Sequence, residues 1–198
     1  MKLYLVRHGE PSYTPCTQRG LIGQGRDLSA LNDIGINQME ASAQRLVEKS
    51  AQIILSSPYT RALQSAAIIA KHTGLTTKVV HDFHEWIPDL TFQYKTYQEL
   101  KLLYQDFEKN KGQYPKDERE FTEYTRWESL EELKNRVKDA LIPFCGDYES
   151  VILVAHGMVI QTFHYQDRVD FGEIIEIDFD KDFIQPEWSF PDKTKETS

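Results

Sequence analysis

Short apolar runs of strand length recur along the chain: LYLV at 3–6, IIL at 53–55, TTKVV at 76–80 and VILV at 151–154. EIIEIDF at 173–179 predicts a fifth strand. Between the first two runs, Ile36, Met39, Ala43, Leu46 and Val47 recur at helical spacing. Between the second and third, Leu63, Ala67 and Ala70 do the same. The order strand, helix, strand, helix, strand, with strands that are apolar throughout, predicts an α/β fold. Its sheet should be mostly parallel, with helices on both faces. Such a sheet binds ligands at the carboxyl ends of its strands.

The third run is not followed at once by a helix. Residues 86–128 form a long stretch whose best helical candidate is Lys95–Lys109. Ten of the chain's 23 aromatic residues fall in it, about twice their average density, which predicts an insertion over the sheet. Ser129 followed by Glu132 makes a capping box opening a helix with Leu133, Val137, Ala140 and Leu141 on one side. The end, from Pro186 to Ser198, is polar and reads as a loose tail over 186–198.

At 198 residues the chain reads as one domain, 1–198. The formal net charge of -8 argues against a general nucleic-acid binder, so a bound anion must meet a local basic cluster. The apolar run at Leu3–Val6 is too short for a signal segment or a membrane span, which predicts a cytoplasmic protein without membrane partners. Cys16 and Cys145 show no metal-site spacing and read as reduced and structural.

One short echo changes the picture. LYLV runs into Arg7, His8 and Gly9, and VILV runs into Ala155, His156 and Gly157. If these strands are parallel neighbours, both imidazoles leave the same sheet edge, with each glycine allowing a sharp turn. After IIL comes Ser56-Ser57-Pro58-Tyr59-Thr60-Arg61-Ala62. Ser57 suits an N-cap and Pro58 the first helical position, which puts Arg61 in a helix's opening turn. Glu85 follows the third strand, bringing a carboxylate to the same edge.

Two histidines and a glutamate can hold zinc. Arg7 and Arg61 in the same pocket would repel a dication and instead favour a phosphoryl dianion, so no metal is expected. An imidazole attacks phosphorus only when unprotonated, and nearby arginines push its pKa below the model value of about 6.5. His8 therefore suits a nucleophile. Glu85 beside a phosphate would hold a proton for a leaving oxygen, with Asp82 and Asp89 as alternative acids.

These residues resemble the histidine phosphatase superfamily, also called the phosphoglycerate mutase-like family. RHGE at 7–10 resembles the signature carrying the nucleophilic histidine, SSPYTRA at 56–62 the second arginine motif and AHG at 155–157 the second histidine. LSALNDIG at 28–35 is similar to the segment after the first loop. The resemblance covers most of the chain. It implies a three-layer α/β/α fold with a lid at 86–128 over the strand ends, and no cofactor. It also implies a catalytic His8, Glu85 and His156, with phosphate held by Arg7, Arg61, His156 and Gly157.

Family mutases usually carry Ser after RHGE and a Trp-Asn pair shortly beyond, where this chain has Pro11, Tyr13 and Thr14. The expectation is therefore a metal-independent phosphatase acting on a small phosphorylated metabolite through a phosphohistidine on His8. A mutase using the same phosphohistidine, or a non-catalytic phosphoprotein-binding member, are the alternatives. Tyr13, Gln24, Arg26 and Trp86 are candidate pocket walls. Oligomeric state is not legible.

Overall fold

The computed structural model describes residues 1–114 and 127–190. Five strands form one sheet: β1 (Lys2–Arg7), β2 (Ile53–Ser56), β3 (Thr77–Val79), β4 (Ser150–Ala155) and β5 (Ile174–Asp178). Their spatial order is β3-β2-β4-β1-β5. All neighbours run parallel except β5, which pairs antiparallel with β1 and closes that edge. The expected strands are all present, with ends shifted by one or two residues.

β1, β2, β4 and β5 alternate their side chains between two cores. Leu3, Leu5, Ile53, Leu55, Val151 and Leu153 face one layer, and Tyr4, Val6, Ile54, Ile152 and Val154 the other. The second layer is covered by α2 (Asp33–Val47) through Met39, Ala43 and Leu46, and by α3 (Thr60–Thr73) through Ala62, Ala66 and Ile69. The first is covered by α5 (Leu130–Leu141) through Leu133, Val137 and Leu141, beside α6 (Gly157–Gln161). Both faces are thus dry, which is what apolar parallel strands require. The three-layer α/β/α arrangement is present. A short α1 (Thr14–Gln18) precedes a 3₁₀ turn at Gly23–Leu28.

Two helix faces differ from expectation. In α3 the buried stripe is Arg61, Ala62, Ser65, Ala66 and Ile69, not Leu63, Ala67 and Ala70. Polar Arg61 and Ser65 take inward positions because they serve the strand ends, and this turns the helix against its apolar count. Val47, at the end of α2, is 53% exposed. The capping box of α5 is present, with the Ser129 hydroxyl accepting from Glu132 N and the Glu132 carboxylate accepting from Ser129 N.

The insertion carries α4 (Tyr97–Lys109), capped by the Thr96 hydroxyl. Its inner residue Phe107 is fully buried among Trp86, Tyr104, Trp127, Trp188 and Phe190. The start of the expected loose tail is therefore packed: Trp188 Nε1 donates to Gln161 O at 3.1 Å and Phe190 meets Phe107. Residues 191–198 of that tail, and 115–126 of the expected lid, lie outside the described residues.

Candidate active site

Sheet register brings the strand-end residues together. Arg7 pairs with Ala155, so His8 and His156 leave their strands side by side, and Ser56 pairs with Val154 one strand over. Backbone bonds continue past the strands: His8 N donates to Ala155 O at 3.1 Å and Ser57 N to Val154 O at 3.0 Å. The two imidazole centroids end 5.0 Å apart, edge to face.

Neither Gly9 nor Gly157 adopts a positive φ, which corrects the sharp-turn expectation. Gly9 is needed for close approach instead. A Cβ there would lie 2.3 Å from Gly35 O, and one on Gly35 would lie 2.2 Å from Glu10 O. The start of α2 is thereby pressed against the loop leaving β1. Asn32 fixes this contact, accepting from Gly35 N at 2.7 Å and donating to Glu10 Oε1 at 2.7 Å.

A cavity of about 390 Å³ opens at this edge, with Arg7, His8, Arg61 and Glu85 in its floor. His8 is 4% exposed. Its Nδ1 lies 2.7 Å from Gly9 O, and Arg61 Nε donates to its Nε2 at 3.2 Å. A carbonyl only accepts and a guanidinium only donates, so Nδ1 carries the proton and Nε2 offers a lone pair. Burial holds the His8 pKa well below its ordinary value, with the Arg61 charge second and Arg7 a smaller contributor. The expected arginine effect is present, yet burial is the larger cause.

Arg61 sits at the second position of α3, but the cap differs from expectation. The N-cap is Tyr59, without a side-chain cap bond, and the helix opens at Thr60. Ser57 has another partner: its hydroxyl lies 2.7 Å from His156 Nε2 and accepts from Tyr59 N at 3.3 Å. Arg61 Nη1 pairs with Asp27 Oδ1 at 2.9 Å. Arg7 is braced by a hydrogen bond to Val169 O and by the Phe171 ring, 4.1 Å from its guanidinium carbon, while its buried Nε has no partner among the described residues.

Glu85 accepts from Trp86 N at 2.9 Å and from Met158 N at 3.4 Å, and burial raises its carboxyl pKa. The alternative acids are placed elsewhere. Asp89 accepts from Thr91 N, Gln93 N and Tyr94 N and so ties its own loop, while Asp82 is exposed outside the cavity. His156 does not line the cavity. It is fully buried just behind His8, with Nδ1 unpartnered among the described residues, and Gly157 opens α6 against the Arg7 guanidinium.

The four candidate wall residues, Tyr13, Gln24, Arg26 and Trp86, all line the cavity. Sequence reasoning missed Asp27, Tyr59 and Phe171, which no spacing marks. Among the described residues, the three-donor group that could hold a metal is His81, Asp82 and His84, outside the cavity.

Fold and site together define an α/β protein whose sheet edge brings Arg7, His8, Arg61 and Glu85 to one anion-receptive pocket, with His156 buried behind His8. The model of the histidine phosphatase superfamily (branch 1) matches residues 3–167. A candidate phosphoserine phosphatase of Hydrogenobacter thermophilus is 31% identical over 79% of this chain and 73% of its own. A probable phosphoglycerate mutase of Yersinia pestis is 40% identical over a shorter stretch, 38% of this chain and 34% of its own. The crystal structure of the α-ribazole phosphatase from Shigella flexneri superposes with a TM-score of 0.66 at 20% identity, covering 93% of this chain and 94% of its own. The chain belongs to the histidine phosphatase superfamily.

Proposed function

We propose that the protein is a metal-independent phosphatase that hydrolyses a small phosphate monoester through a phosphohistidine on His8. The observation that carries this reading is the state of His8, a neutral imidazole with a fixed tautomer and its Nε2 lone pair at the cavity floor beside Arg61. The unpartnered Arg7 Nε supports it, since a buried donor without an acceptor awaits a ligand oxygen.

In the first step His8 Nε2 bonds to phosphorus as the ester P–O bond breaks, and Glu85 gives its proton to the leaving oxygen. In the second, water attacks phosphorus, the N–P bond breaks and the Glu85 carboxylate takes the water's proton. Arg7 and Arg61 offset charge on the phosphoryl oxygens in both steps. His156, behind His8 and anchored by Ser57, positions that face of the pocket. The mostly aromatic wall from the insertion selects the leaving group.

The test is release of inorganic phosphate from an aryl phosphate in excess chelator. Turnover that vanadate inhibits and His8→Ala abolishes is expected. Full activity in His8→Ala, or a strict metal requirement, would overturn the reading. The local likeness to a mutase keeps one rival in view. Phosphoryl transfer to another hydroxyl of the same substrate, without phosphate release, would favour it.

A further inference from the structure

Arg26 stands apart from the other buried and half-buried arginines around the strand ends. It is 9% exposed, lies in the Gly23–Leu28 turn and lines the cavity. Arg61 pairs with Asp27, Arg136 with Glu128, and Arg7 bonds Val169 O. Arg26 makes no ion pair or hydrogen bond among the described residues, and its guanidinium carbon rests 4.9 Å from the Tyr13 ring centroid. None of its guanidinium nitrogens is both buried and unpartnered, so its free donors open to the cavity, where a ligand's anionic group can take them.

Its place says which part of a ligand that is. Gly23 N donates to Tyr94 O at 2.8 Å, and a Cβ on Gly23 would lie 2.1 Å from Phe92 O, so the turn is pressed onto the insertion. Arg26 thus belongs to the wall facing the leaving group, not to the floor around His8. Charge accounting agrees. Arg7, Arg26, Arg61 and Lys101 line the cavity against Asp27 and Glu85. With Glu85 protonated and a phosphoryl dianion bound, one positive charge is left without a counterpart.

We propose that Arg26 receives a second anionic group, carboxylate or phosphoryl, carried by the leaving group of the substrate. This rests on the phosphatase reading above. The contact with the Tyr13 ring uses none of its hydrogen-bond donors, and its planar fork suits two oxygens of either group.

The experiment compares kcat/KM for glycerol 3-phosphate, 3-phosphoglycerate and 1,3-propanediol bisphosphate in the wild type, Arg26→Gln and Arg26→Lys. In the wild type one anionic ester should exceed glycerol 3-phosphate by roughly 10–100-fold, the worth of a hydrogen-bonded charge pair. Which ester does so names the group. Arg26→Gln should bring the ratio close to one, chiefly through KM, and Arg26→Lys should keep part of it. A wild-type ratio near one, with aryl phosphate still turned over, removes this inference alone. An unchanged ratio in Arg26→Gln also overturns it. No His8-dependent turnover of any ester removes the phosphatase reading and this inference with it.

Discussion

Arg7 and His8 reach the cavity floor from the end of β1, and Arg61 from the first turn of α3 just beyond β2, both strands being held in register by their neighbours. Trp86, Tyr94, Tyr97 and Tyr104 reach its wall from a segment that packs largely on its own aromatic rings. The floor inherits the rigidity of the sheet, because moving His8 would break its bond to Ala155 O and the Gly9–Gly35 contact. The wall rests on Phe107, whose ring meets Trp86 at 5.0 Å and Trp127 at 5.3 Å. One region can therefore fix the reaction at phosphorus while the other varies what carries the phosphate.

The strongest way to break this division is His8→Ala. Removing a covalent nucleophile should lower kcat by roughly 10⁴-fold or more, for good and poor leaving groups alike. Steady-state kinetics with an aryl phosphate check it. Next, Phe107→Ala should cost roughly 3–5 kcal/mol in urea unfolding by opening a cavity among the rings. Measured well below its melting temperature, the variant should keep its His8 chemistry while losing discrimination between esters. Equal discrimination would mean that the wall does not select.

Glu85→Gln should slow turnover of poor leaving groups by roughly 10²–10³-fold and of good ones far less. Burial raises the Glu85 pKa, so in the wild type the proton donor is present at acidic pH and lost as pH rises through that value. The depressed pKa of His8 extends the neutral imidazole to lower pH than an ordinary histidine allows. Turnover of poor leaving groups should therefore fall as pH rises through the Glu85 pKa, and that fall should vanish in Glu85→Gln. The smallest effect is expected from Ser57→Ala, which frees His156 Nε2 while leaving the sheet intact. A loss of roughly tenfold in kcat should appear with a lowered melting temperature, because His156 Nε2 and Tyr59 N both lose a buried partner.

Much of the floor was legible because it follows from strand periodicity and two His-Gly pairs. The wall was legible only as an aromatic excess. Where the reading failed, polar residues had taken buried positions. Arg61 and Ser65 face inward on α3 and so defeat a face assigned from Leu63, Ala67 and Ala70. Ser57 looked like a cap because its sequence neighbours suit a helix start, but its hydroxyl is held by His156. Gly9 was expected to turn and is instead an approach point for α2, a contact made only when distant segments meet. Asp27 had no signature, since its partner Arg61 lies 34 residues away.

The central claim is a phosphoryl group on His8. The direct measurement is rapid mixing of the protein with a fast aryl phosphate, quenching into base, which preserves phosphoramidates, and peptide mass spectrometry. The account predicts a transient phosphohistidine on the peptide containing His8, formed within the first turnover and absent in His8→Ala. Phosphate release that proceeds with no phosphorylated His8 peptide at any time, or with the label on another residue, would contradict it.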